Sequence, residues 1–237
     1  MSATPVKKRP GGELVARPLH FIWIADCSGS MSGEKIQSLN FAIKDAIPHM
    51  REVADENPNA QVLVRALKFS SGAQWHVSQP TPIADFKWQD LSADGLTDMG
   101  KALTMLAEQL KMPPMTDRAL PPVLVLISDG QPTDDFNKGL NALMAEPWGK
   151  KAVRIAIAIG EDADLEILQK FIGHSELKPL QANDPEALVR HIKWVSTAVL
   201  KSASAPSSQA PGSTVSGLNV PIPNAPTAGP DNANDVW

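Results

Sequence analysis

The sequence predicts an α/β fold in which a doubly wound, mostly parallel central sheet with one antiparallel edge strand carries helices on both faces. Three observations predict it. Leu19 to Ala25, Val123 to Ile127 and Val153 to Ile159 are short runs apolar on both parities, as strands covered on both faces must be. Helical spacing separates those runs, so strand and helix alternate along the chain. One segment, Ala73 to Ser78, instead alternates in strict period two, with Ala73, Trp75 and Val77 against Gln74, His76 and Ser78. Only a strand with one exposed face reads this way.

The individual elements follow from their side chains. Gln61 to Phe69 is nearly as apolar as the three central runs, and the turn Ser70-Ser71-Gly72 pairs it with the alternating segment in a hairpin at the sheet edge. Ile36, Leu39, Ile43, Ile47 and Met50 form one helical stripe, and Met99, Ala102, Leu103, Leu106 and Leu110 form another. Pro48 should kink or end the first of these helices. The last helix has Asp184 as N-cap and Pro185 in the first helical position, followed by Leu188, Ile192, Val195 and Val199.

The domain is therefore expected over residues 18–200. A basic N-terminal segment, residues 1–17, precedes it, with Lys7, Lys8, Arg9 and Arg17 against Glu13. Residues 201–237 contain six prolines, six serines, six alanines and three glycines. This composition has too little apolar surface to offset the entropy of ordering, which predicts a flexible tail.

Composition narrows the function. A formal charge of -4 leaves no footprint of a nucleic-acid or anionic-membrane binder. The single cysteine, Cys27, excludes an internal disulfide and a cysteine-rich zinc module. No run approaches the roughly 18 to 20 apolar residues of a membrane span, and the basic start is not followed by an apolar leader core. The expected location is the cytoplasm.

The chemistry gathers where strands end. The first central strand runs into Asp26-Cys27-Ser28-Gly29-Ser30, and Val123 to Ser128 runs into Asp129-Gly130. In open α/β sheets ligands bind outside the carboxyl ends of the strands where the winding reverses. If these two strands are neighbours, Asp26 and Asp129 face one crevice, and two such carboxylates need a counter-cation to stay ionised together. Ser28, Ser30 and Thr97, the last from the loop Gly95-Leu96-Thr97-Asp98, add hydroxyls. An oxygen-only set of hydroxyls and carboxylates suits Mg²⁺ or Mn²⁺ rather than zinc. Each element alone has a plainer reading: Ser30 or Ser32 and Thr97 as helix caps, Asp129-Gly130 as a turn. Their conjunction at one sheet edge favours a metal site. Cys27, beside these carboxylates, is expected to be buried or inert rather than nucleophilic.

Asp-x-Ser-x-Ser after strand one, a Thr in a glycine-flanked loop and Ser-Asp-Gly after a later strand resemble the metal-ion-dependent adhesion site of von Willebrand factor A (vWA) domains, which are Rossmann-like. The fuller loops DCSGSMSGEK, GLTDMGKAL and LISDGQPTDD resemble in particular the bacterial tellurium-resistance-associated, TerY-like branch. The resemblance implies that the hydroxyls of Ser28, Ser30 and Thr97 bind the metal, with Asp26 and Asp129 acting directly or through water. A Glu or Asp of a protein partner then fills the open position. It also implies a signalling scaffold that accompanies a Ser/Thr kinase and a PP2C-type phosphatase. The alternative is a Mg²⁺-dependent phosphatase or phosphotransferase with Asp26 as nucleophile. Such enzymes want a second Asp two positions on, where this chain has Ser28.

Overall fold

The computed structural model describes residues 16–205 and 220–226. Its centre is a six-stranded sheet in the order β3-β2-β1-β4-β5-β6. The strands are β1 (Arg17–Asp26), β2 (Ala60–Ser70), β3 (Gly72–Pro82), β4 (Val123–Ser128), β5 (Val153–Ile159) and β6 (Leu180–Ala182). All pairings are parallel except that of β2 with β3, which is the antiparallel hairpin at one edge. The chain winds outward from β1 to β2 and β3, then starts again at β4 beside β1 and winds outward the other way. The reversal therefore falls between β1 and β4.

Strand parity sorts the core into two layers. Leu19, Phe21, Trp23 and Ala25 point to the face covered by α1 (Glu34–Asp55) and α6 (Pro185–Trp194). Ile22 and Ile24 point to the face covered by α2 (Met99–Gln109), α3 (Phe136–Ala145) and α5 (Leu165–Ile172). Every residue of β4 is buried. Helices on both faces account for this, since a parallel sheet is stable only when neither side meets water. The short α4 (Pro147–Lys151) joins α3 to β5. At the crossing of α2 and α3, a Cβ on Gly139 would overlap the Gly100 carbonyl, so only glycine permits this approach. Among the described residues no helix is long and apolar enough to cross a membrane.

Three features differ from the sequence-based expectations. Pro48 does not end its helix: α1 runs unbroken for 22 residues. Pro48 lies on the exposed side, where water can serve the carbonyl that its missing N–H leaves without an intrahelical partner. Strand β6, only three residues long, is too short to show a period.

The third difference concerns the expected tail. Its first residues continue the fold: α6 passes through a π-helical turn, Val195–Val199, into α7 (Leu200–Ser204), where Leu200 and Ala203 are buried. Farther on, Val220 and Ile222 join the core beside Leu177, Leu180 and Trp194. Averaged composition hid them, because two apolar residues spaced by two in a Pro-rich segment put both side chains on one face of an extended chain. The N-terminal segment, apart from residues 16 and 17, and the remaining tail lie outside the described residues; Arg17 opens β1 and ties its guanidinium to the carbonyls of Arg118 and Ala119.

Ile222 is 2 % exposed, so Ile222→Asp is expected to lower folding stability by about 2 kcal/mol, and Ile222→Val by about 1 kcal/mol or less. Denaturant midpoints of the full chain check this; identical midpoints would mean the segment does not pack.

Candidate metal centre

Because β1 and β4 are adjacent and parallel, with Ala25 opposite Ile127, their last residues emerge side by side. Asp26 is wholly buried, and its two oxygens accept from different segments: Oδ1 from the Ser28 backbone N–H in the following loop at 2.8 Å, and Oδ2 from the hydroxyl of Ser128, the last residue of β4, at 2.5 Å. The Ser28 and Ser30 hydroxyls lie 3.0 Å apart. A 3₁₀ turn over Gly29–Met31 folds this loop so that two side chains spaced by two residues converge. Ser28 is buried and Ser30 exposed, so the pair spans the wall and the mouth of the crevice. Asp129 is 5 % exposed and near enough to Asp26 to oppose its ionisation.

Thr97 arrives on a third loop that is bonded to both of the others. Towards the β1 loop, the N–H of Gly29 donates to the Gly95 carbonyl at 3.0 Å, and that of Asp94 to the Cys27 carbonyl at 2.8 Å. Gly95 has φ +83 and abuts Ser71, a position where a side chain has neither the conformation nor the space. Towards the β4 loop, Thr97 N–H donates to the Thr133 hydroxyl at 3.0 Å and Thr133 N–H returns a bond to the Thr97 carbonyl at 2.9 Å. The structure thus assembles all three predicted loops at one sheet edge.

Several residues that serve this arrangement were not singled out from the sequence. Ser128 orients Asp26, and Thr133 fixes Thr97. Asp134 caps α2 from outside that helix, accepting from the N–H groups of Gly100 and Lys101, both at 2.8 Å. The caps suggested for Ser30, Ser32 and Thr97 are absent: Gly33 precedes α1 and Asp98 precedes α2, neither with a side-chain cap. The signal for these helpers was present in the stretch Ser128 to Asp134, whose hydroxyls and carboxylates exceed what a turn needs. Asp98, adjacent to Thr97, is spent elsewhere. Its Oδ2 accepts from Lys101 Nζ at 2.6 Å and from Gly72 N–H at 2.7 Å, and the Lys101 bond is the main reason its carboxyl is held below the usual range.

The electrostatics of the crevice are unbalanced. Burial pushes the Asp26 carboxyl up to about 6, against the pull of its bonds from Ser128 and Ser28, and Asp129 adds to the rise. Among the described residues no Lys, Arg or His forms an ion pair with Asp26 or Asp129. Among the described residues no three His, Cys, Asp or Glu side chains are placed to hold a metal ion, so a cation here needs hydroxyl ligands beside the carboxylates. The donors at hand are oxygens. Cys27 is 2 % exposed, and burial followed by the neighbouring Asp26 pushes its thiol up to about 12, which removes the thiolate as ligand or nucleophile. This chemistry fits a hard divalent ion.

The sequence model for the von Willebrand factor type A domain matches residues 22–191. The chain belongs to that family. Domains of this kind commonly mediate metal-dependent protein–protein interaction through a metal-ion-dependent adhesion site and are generally interaction modules rather than enzymes. Solved vWA structures share the fold at low identity. A von Willebrand factor type A protein from Catenulispora acidiphila is 17% identical with TM-score 0.57, covering 78% of this chain and 43% of that one. The ArnB paralog VWA2 from Sulfolobus acidocaldarius is 20% identical with TM-score 0.54, covering 75% and 45%. Proximal thread matrix protein 1 from the mussel byssus, with a zinc-occupied MIDAS motif, is 17% identical with TM-score 0.58, covering 79% and 46%. This vWA chain spans less than half the length of each of the three. A comparison with curated proteins returned no match.

The raised Asp26 fixes a pH dependence for the metal-free vWA domain. A carboxyl with a folded-state pKa near 6 and an ordinary one near 3.8 favours the fold below pH 4, and that contribution is lost as pH rises through 6. Thermal unfolding in EDTA should show roughly 2 to 3 kcal/mol disappearing over this window in the wild type and not in Asp26→Asn. Equal slopes in both proteins would show that Asp26 is not the group responsible.

Proposed function

We propose that this vWA domain is a metal-dependent protein-binding module. Asp26, Ser28, Ser30, Thr97 and Asp129 hold one divalent cation, Mg²⁺ or Mn²⁺, and a Glu or Asp from a protein partner completes its coordination. The observation that carries this reading is the pair of buried carboxylates, Asp26 and Asp129, beside two converging serine hydroxyls, with no cationic side chain paired to the carboxylates among the described residues. A cation supplies the missing positive charge and offers the partner a Lewis-acidic anchor. The protein's own part is to hold the ligands. Ser128 and the Ser28 N–H fix the Asp26 carboxylate, the Thr97–Thr133 pair of bonds fixes the third loop, and burial keeps bulk water from competing for the carboxylates. A partner carboxylate at such a centre is charge-assisted and desolvated, so its removal should weaken binding by about 2 kcal/mol or more.

Catalysis by Asp26 is the weaker reading. An attacking carboxylate must reach its substrate, whereas Asp26 is wholly buried with both oxygens accepting hydrogen bonds, and Ser28 stands where an acid/base Asp is wanted. The loop sequences DCSGSMSGEK, GLTDMGKAL and LISDGQPTDD support a place in the TerY-like branch. With it would come a cytoplasmic stress-signalling role beside a kinase and a PP2C-type phosphatase.

Calorimetry with Mn²⁺ should give one site in the wild type, weakened at least about a hundredfold in Ser28→Ala/Ser30→Ala while the unfolding midpoint in EDTA stays within a few degrees. Affinity below about pH 6 should fall as Asp26 takes up its proton. Equal Mn²⁺ affinity in the double variant would remove the serines from the site. Phosphatase turnover abolished by Asp26→Asn would replace the binding reading with the enzymatic one.

A further inference from the structure

A second polar cavity lies at the other end of β1, on the α2 face of the sheet. Its volume is about 310 Å³. It is bounded by His20 of β1, Arg65 of β2, Trp75 and Ser78 of β3, Gln109 at the end of α2, and Met115 in the connection that follows. His20 and Asp26 are six residues apart on one strand, so the two sites are separated by about 20 Å.

Arg65 is the anomaly. It is 2 % exposed, on a strand position whose neighbours of like parity, Leu67 and Phe69, are core. Its guanidinium lies 4.8 Å from the centre of the Trp75 ring and donates through Nη1 to the Gln109 side-chain oxygen at 2.9 Å. Its Nε is buried with no hydrogen-bond partner among the described residues. Among the described residues no carboxylate pairs with Arg65. Burial alone pulls its pKa down, to about 10, which still leaves it charged at neutral pH. His20, only 9 % exposed, likewise has Nδ1 buried and unpartnered, and burial together with the nearby Arg65 brings it down to about 4, so its imidazole is neutral. A buried guanidinium without an anion is destabilising, and an arginine serving only to fill space is normally replaceable by an apolar residue at no loss.

We propose that this cavity is a binding site for a small organic monocarboxylate, with Arg65 as its anion anchor. The guanidinium is a planar donor fork that suits a carboxylate, and Trp75 already restrains its plane. One positive charge stands in the cavity, because His20 is neutral, and one negative charge balances it; a phosphate dianion leaves a second charge buried. Trp75 and Met115 offer apolar walls for the body of the acid, and the volume is at the small end of ligand sites. The neutral His20 ring lines the cavity without adding charge.

Benzoate is the probe, with benzamide as its neutral counterpart and inorganic phosphate as the alternative anion. All are added to the full chain in EDTA at pH 7 so that no metal centre can take up a carboxylate. Benzoate is expected to raise the unfolding midpoint with dose and to bind in calorimetry, and benzamide to do neither. Arg65→Met should fold with an unchanged or higher midpoint and bind benzoate at least about tenfold more weakly, the worth of a lost charged hydrogen bond. Gln109→Glu places a carboxylate against Nη1 from within the protein; it should raise the midpoint and suppress the benzoate response. The proposal is overturned if the wild type ignores benzoate, if benzamide matches it, if Arg65→Met retains full affinity, or if phosphate binds in preference.

Discussion

Two carboxylates that share a buried crevice, with no Lys, Arg or His paired to them among the described residues, set the terms for the rest of this molecule. Asp26 and Asp129 come together because β1 and β4 are adjacent parallel strands ending at the same level, at the point where the sheet reverses its winding. Burial raises the energy of the first charge and the second raises it further. The fold tolerates this because two bonds, from Ser28 N–H and the Ser128 hydroxyl, hold Asp26 in place, and because the strain is confined to one end of a sheet whose two faces are packed by large apolar clusters. Such a centre is stable in proportion to the cation it can attract.

The loops around it form one unit. Gly95 bonds to Gly29, Thr97 exchanges two bonds with Thr133, Asp134 caps α2, and Asp98 binds both the β2–β3 turn and Lys101. A displacement of any one loop therefore pulls on the others. Gly139 and Gly100 let α3 press directly on α2, which anchors the two helices that follow the second and third loops. Rigidity of this kind suits a site that must present preformed ligands, since less ordering remains to oppose binding.

The doubly wound sheet was legible because central parallel strands leave an apolar signature on both parities and the edge hairpin a period of two. The convergence of the β1 and β4 loops was legible too, since strand ends at a switch point emerge side by side. Residues acting through another escaped notice: Ser128, Thr133 and Asp134 do nothing that spacing reveals until the loops are bonded. Pro48 was read by a rule for buried or hydrogen-bonded positions, whereas its exposed side tolerates the missing bond. Val220 and Ile222 were diluted by the prolines and serines around them. Arg65 was not singled out, because it stands in a strand read as nearly as apolar as the central runs, and only Trp75 and Gln109 show how its guanidinium is held inside.

Anomalous diffraction from a crystal grown or soaked in Mn²⁺ bears most directly on the central claim. The account predicts a single strong peak bounded by the hydroxyls of Ser28, Ser30 and Thr97 and by the carboxylates of Asp26 and Asp129. A peak elsewhere, or none beside these five residues at full Mn²⁺ loading, contradicts it.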